Sequence, residues 1–161
     1  MQRRAALRLM AGVSLLAALP ARAALPPMRV YKSPSCGCCT EWVKHLRSDG
    51  FVVAVEETGN NAARTRLGIP PALASCHTAE IGGYAIEGHV PAADVRRLLA
   101  ARPKARGLAV PGMPIGSPGM EQGDERDAYD VMLVRDDGTT GVFASYPARR
   151  TVQRKPEGKQ R

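Results

Sequence analysis

Several catalytic constellations are missing from this 161-residue sequence. It shows no Ser/His/Asp set, no paired carboxylates and no glycine loop of the kind that cradles phosphate, so hydrolase chemistry finds no support. There are no internal repeats. No apolar stretch reaches the roughly 20 residues that a permanent bilayer helix needs; the run Leu9 to Leu19 falls well short. Acids are absent from residues 1–23, where Arg3, Arg4, Arg8 and Arg22 stand unopposed at +4. From Arg149 to Arg161 a single acid, Glu157, faces six basic residues, for +5. The formal net charge of +8 therefore belongs to the two ends, and residues 24–148 come to −1. A near-neutral body has no electrostatic footprint for nucleic acid. The length suits one domain with a real core, not two.

The basic start, the apolar run and the break at Pro20-Ala21-Arg22-Ala23 follow the order of a secretory signal, with cleavage expected before Ala24. Residues 1–23 are thus read as a signal peptide that leaves no stable membrane anchor. Arg3-Arg4-Ala5-Ala6-Leu7-Arg8 resembles the twin-arginine signal, while an ordinary Sec leader fits as well. Both routes lead to the periplasm, where disulfides are permitted.

Residues 24–27 read as a linker and 28–146 as the domain. Met28 to Tyr31 is strand-like, and turn formers from Ser33 to Cys39 follow. Trp42, Val43 and Leu46 then keep helical spacing until Asp49-Gly50. The continuous apolar run Phe51 to Val55 predicts a strand buried on both faces. A short helix is expected over Asn60 to Leu67, and Ile69-Pro70-Pro71 must be extended. Leu73–Ala79 and Gly83–Glu87 predict a hairpin, and Pro91 to Ala101 an amphipathic helix. The order β-α-β-α-β-β-α is that of the thioredoxin fold, class α/β. From Gly107 to Met120 the chain is too turn-laden for a regular element. Val131–Val134 and Gly141–Ala144 flank Asp136-Asp137-Gly138, a hairpin signal. Residues 147–161 read as a disordered basic tail.

Cys36, Cys38 and Cys39 fall within four residues, and Cys76 is the fourth thiol of the chain. A helix N-terminus acidifies thiols, and thiolate is both a reducing nucleophile and a soft metal ligand. Three readings follow. Cys36 and Cys39 form the C-x-x-C pair of a thiol-disulfide oxidoreductase, for which Cys38 is a wrong partner. Two plain disulfides would satisfy the compartment but strain adjacent Cys38 and Cys39. A nest of four convergent sulfurs would suit metal, because thiolates bridge ions. Zinc usually takes two C-x-x-C knuckles, of which one is present. Met113 and Met120 add thioethers, which Cu(I) favours, although methionine also fills core gaps; Met28 and Met132 suit strand packing. His77, next to Cys76, offers an imidazole that a copper site can combine with sulfur, but alternation along a strand would point the two side chains to opposite faces. His45 and His89 read as surface or capping residues.

The run Val30-Tyr31-Lys32-Ser33-Pro34-Ser35-Cys36-Gly37-Cys38-Cys39 carries a resemblance. With it go Ile69-Pro70, Ser75-Cys76-His77-Thr78, Gly88-His89-Val90-Pro91 and the loop Gly112-Met113-Pro114 to Gly116-Ser117-Pro118-Gly119-Met120. Over about residues 28–146 the chain resembles the periplasmic copper-resistance CopG-like family. The resemblance implies a thioredoxin-like fold in which Cys36, Cys38, Cys39 and Cys76 hold a multinuclear Cu(I) thiolate cluster. Met113 and Met120 would be auxiliary ligands or a cover. The expected function is periplasmic Cu(I) binding in copper resistance or homeostasis. Copper ions are the expected partners, with other periplasmic copper-handling proteins, and no nucleic acid. Delivery of copper to a partner protein would use the same residues, and so would redox cycling of the metal.

Overall fold

The computed structural model describes residues 24–150. The expected leader and all of the expected tail beyond Arg150 lie outside them. The protein is mixed α/β, with one seven-stranded sheet in the order β2-β1-β3-β4-β5-β6-β7. The strands are β1 (Met28–Lys32), β2 (Val53–Glu56), β3 (His77–Ile81), β4 (Tyr84–Glu87), β5 (Gly107–Ala109), β6 (Tyr129–Val134) and β7 (Thr140–Tyr146). The helices are α1 (Gly37–Ser48), α2 (Asn61–Arg66) and α3 (Ala92–Ala101), with a single 3-10 turn at Pro71–Leu73. β1 is parallel to β2 and antiparallel to β3, β3 and β4 form the predicted hairpin, and β4 is parallel to β5.

Helical spacing explains which faces are covered. In α1, Cys39, Trp42, Val43 and Leu46 recur at intervals of three and four, and all four are buried. Trp42, Val43 and Leu46 pack with Val95 and Leu98 of α3 on Val30, Ala79, Ile86, Leu108 and Val131. Residues 28, 30, 77, 79 and 81 share this face because side chains alternate along a strand. The opposite face carries a smaller cluster of Ile69, Ala85, Ala109 and Val134, joined by Leu67 and Leu73.

Three expectations change. β2 lies at the sheet edge, with Val53 buried, Ala54 exposed and Val52 70% exposed, so the apolar run Phe51 to Val55 is not buried on both faces. Strand β3 starts at His77, not Leu73. Pro70 is extended (φ −58°, ψ 140°) and Pro71 starts the 3-10 turn, which delays the strand. The turn-laden stretch also opens with a strand. A Cβ on Gly107 would stand 1.7 Å from the Ala85 carbonyl oxygen, so only glycine lets β5 approach β4.

Arg126 and Arg149 exchange backbone hydrogen bonds of 2.8 Å in both directions. The expected tail is therefore held by the domain at its first residues.

Candidate metal centre

The carboxyl ends of β1 and β4, the start of β3 and the first turn of α1 meet at one end of the sheet's central strands, where Lys32 pairs with His77 and Thr78 with Glu87. Crevices at strand carboxyl ends are the usual ligand sites of open α/β sheets. Cys36 is the N-cap of α1, and its Sγ accepts from the Cys39 N–H at 3.3 Å. The helix begins there because the Ser33-Pro34-Ser35 turn brings the Cys36 N–H to the Ser33 carbonyl at 3.1 Å.

The four sulfurs converge. Cys36 and Cys39 form a disulfide. Cys38 and Cys76 are free thiols, with Cys38 Sγ 3.5 Å from Cys36 Sγ and 3.8 Å from Cys76 Sγ. A second group shares Cys76, whose Sγ is 3.3 Å from His77 Nδ1 and 3.1 Å from His89 Nε2. Within the set Cys36, Cys38, Cys39 and Cys76, and within the set Cys76, His77 and His89, all donor atoms lie within 4.8 Å of one another. The arrangement has one disulfide and two thiols in place of the two disulfides considered from the sequence.

Both imidazoles are neutral lone-pair donors. Burial, with His89 beside it, pushes the His77 pKa down to about 3; burial also lowers that of His89. His89 Nδ1 donates to the Pro118 carbonyl at 2.8 Å, which leaves Nε2 as the lone-pair nitrogen facing Cys76. His77 lies at the bottom of the site, its ring centroid 4.2 Å from Trp42 and 4.9 Å from His89. Its Nε2 is buried without a hydrogen-bond partner among the described residues. Burial, followed by the neighbouring Cys38, pushes the Cys76 thiol up to about 12. Cys76 is thus a neutral thiol near neutral pH.

The glycine- and methionine-bearing loop covers these strand ends. Besides the His89 bond to Pro118, the Ser75 hydroxyl donates to the Gly112 carbonyl at 2.5 Å. Gly119 (φ +86°) approaches α1 so closely that a Cβ would stand 2.7 Å from the Cys38 carbonyl oxygen and 2.7 Å from the Trp42 nitrogen. Met120, next to it, is half-buried, while Met113 is 53% exposed.

The histidines depart from the sequence reading. Cys76 sits in a bend just before β3, so strand alternation does not separate its side chain from that of His77. His89 is fully buried beside a thiol, and is no surface residue. Its signal was its position, a lone polar residue between a strand end and the apolar Val90-Pro91-Ala92 start of a helix. His45 does cap: its Nε2 accepts from the Ala92 N–H at 3.1 Å, at the start of α3. Ile69 packs on the far face of the sheet, and it is Cys76 that reaches the cysteine turn, with its Sγ 3.8 Å from that of Cys38.

Fold and site together define an α/β protein with a soft, sulfur- and imidazole-rich donor site able to hold a metal ion. Residues 73–120 match the family described as "Protein of unknown function, DUF411". Among solved structures, "Copper resistance protein copG" in its form 1 is 46% identical, covering 76% of this chain and 98% of that one, with a TM-score of 0.73. Form 2 is 47% identical, covering 76% and 99%, with a TM-score of 0.71. No curated protein sequence matches. The chain belongs to the CopG-like copper-resistance family.

Proposed function

We propose that the protein is a periplasmic copper-binding protein of copper resistance or homeostasis, which holds Cu(I) as a multinuclear cluster bridged by Cys36, Cys38, Cys39 and Cys76. The observation that carries this reading is the convergence of four sulfurs on two neutral imidazoles through the shared Cys76. Soft donors of this kind select Cu(I), and more sulfurs than one ion needs favour bridging. The buried, unpartnered Nε2 of His77 fits a site whose polar atoms are completed by metal. Two electrons and two protons from an external reductant would convert the Cys36–Cys39 disulfide to two thiols before those sulfurs bind. His89 and His77 join the donor set. Met113 and Met120 act as auxiliary ligands or a cover, since their neighbours Gly112 and Gly119 touch the site.

The core is thioredoxin-like in this reading. Supporting it are the order β2-β1-β3-β4, with β3 antiparallel to its neighbours, and a cysteine turn between β1 and α1. Periplasmic location rests on the leader expected over residues 1–23 and on the copper-resistance relatives. Among the described residues, no helix is long and apolar enough to cross a membrane.

A titration with Cu(I) against a strong competing chelator tests the cluster. Replacing a bridging sulfur should lower the number of ions held, not merely their affinity. Cys38→Ser is expected to bind fewer ions than the wild type; an unchanged stoichiometry contradicts bridging.

One observation favours a second reading, thiol-disulfide exchange: the Cys36–Cys39 disulfide with a free thiol 3.5 Å away. Insulin reduction by metal-free protein would support it, and tight retention of copper argues for the first. Delivery of copper to a partner protein differs only in transfer kinetics.

A further inference from the structure

Three parts of the chain meet at Ser75, the residue before Cys76. Its N–H donates to Glu87 Oε1 at 2.7 Å, and its carbonyl accepts from Arg64 Nη2 at 2.6 Å and from Asn60 Nδ2 at 3.2 Å. Glu87 is fully buried at the end of β4. Its Oε1 also accepts from Arg64 Nε at 2.8 Å, and its Oε2 accepts from Thr78 Oγ1 at 2.5 Å. The Thr78 oxygen in turn accepts from Asn60 Nδ2 at 3.2 Å. Every group facing the carboxyl is a donor, the arrangement a carboxylate requires. Burial raises its pKa, and these bonds together with the Arg64 charge oppose the rise.

A buried ion pair adds little net stability compared with well-packed apolar residues. This one instead grips both backbone polar groups of a residue that lies outside any strand. Cys76 sits in the adjoining bend, just ahead of β3, so the backbone of Ser75 sets where its Sγ points.

We infer that Glu87 and Arg64 are positioning residues, which hold Ser75 so that the sulfur of Cys76 meets Cys38 and His89. The use of that placement rests on the copper reading above, but the placement itself is measurable without metal. In protein carrying Cys36→Ser and Cys39→Ser, only Cys38 and Cys76 remain, with sulfurs 3.8 Å apart in the parent. Diamide, which takes up the two electrons and two protons released, closes a disulfide between them at a measurable rate.

Arg64→Lys keeps the charge and can still pair with Glu87, but lacks the fork that reaches the Ser75 carbonyl at the same time. Glu87→Gln keeps the shape and removes the charge. Both are expected to slow closure at least tenfold. In a Cys38→Ser, Cys76→Ser background, both should leave the rate of Cys36–Cys39 closure unchanged. Arg66→Ala on the same helix, which breaks an exposed pair with Glu80, is the control and should change neither rate. If Glu87→Gln does not fold, Arg64→Lys decides alone. Unchanged Cys38–Cys76 closure overturns the inference, and so does equal slowing of the Cys36–Cys39 bond, which marks general loosening. In otherwise wild-type protein, Arg64→Lys should weaken Cu(I) binding at least tenfold, and should add nothing once Cys76 is serine. Absence of copper from the wild type would count against the copper reading alone, while the closure rates still judge the placement.

Discussion

His77 is fully buried against Trp42, and its Nε2 has no partner among the described residues. An unmade hydrogen bond on a buried polar atom costs about 1–3 kcal/mol, whereas an apolar group of similar size in its place costs little or nothing. His77→Leu should therefore leave the melting temperature of the metal-free protein unchanged or raise it, while lowering its copper capacity. A melting temperature several degrees lower, with copper capacity intact, would show that the imidazole serves packing alone. At this scale the convergence of the sulfurs was legible in the sequence, because three of the four thiols already stand within four residues. The histidines were not. Cys76 and His77 converge because a bend precedes β3, and His89 is drawn in by the Pro118 carbonyl from a loop 29 residues away. Neither contact follows from residue spacing, and the position of His89 before an apolar helix start was its one local signal.

Elements were more legible than their burial. The spacing of Trp42, Val43 and Leu46 marked α1, and Asp136-Asp137-Gly138 marked the turn between β6 and β7, since periodicity and turn chemistry are local. The place of β2 at the edge, by contrast, depends on strands that pair from elsewhere in the chain. The β6–β7 hairpin is fastened to α3 through Tyr146, whose hydroxyl donates to Asp94 Oδ2 at 2.7 Å, while its ring stacks on Tyr129 with centroids 4.8 Å apart. Burial pushes the Tyr129 phenol up to about 12; burial and the Asp94 hydrogen bond push that of Tyr146 up as well. The fold therefore favours the neutral phenols. Unfolded tyrosine ionises near pH 10, so their contribution to stability is complete below about pH 10 and is lost as pH rises through about 12. The melting temperature should fall across that window. Tyr146→Phe should lower it at neutral pH and make the alkaline fall shallower; an equally steep fall would separate the phenol from this stability.

Across the whole molecule, the formal charge of +8 says little about the chemistry. It sits at the two ends of the chain, while the centre is built from groups that formal charge ignores: two thiols, a disulfide and two neutral imidazoles. The sheet gathers these from positions 36 to 89, and the loop that ends at Met120 closes over them. Such long-range convergence explains why the sequence pointed to the sulfurs but not to the depth of the site. The most direct test is the metal content of wild-type protein, purified without oxidation from copper-fed cells and weighed by native mass spectrometry. More than one copper per chain, without zinc, is the predicted result. A single zinc, or no metal at all, would contradict the Cu(I) cluster.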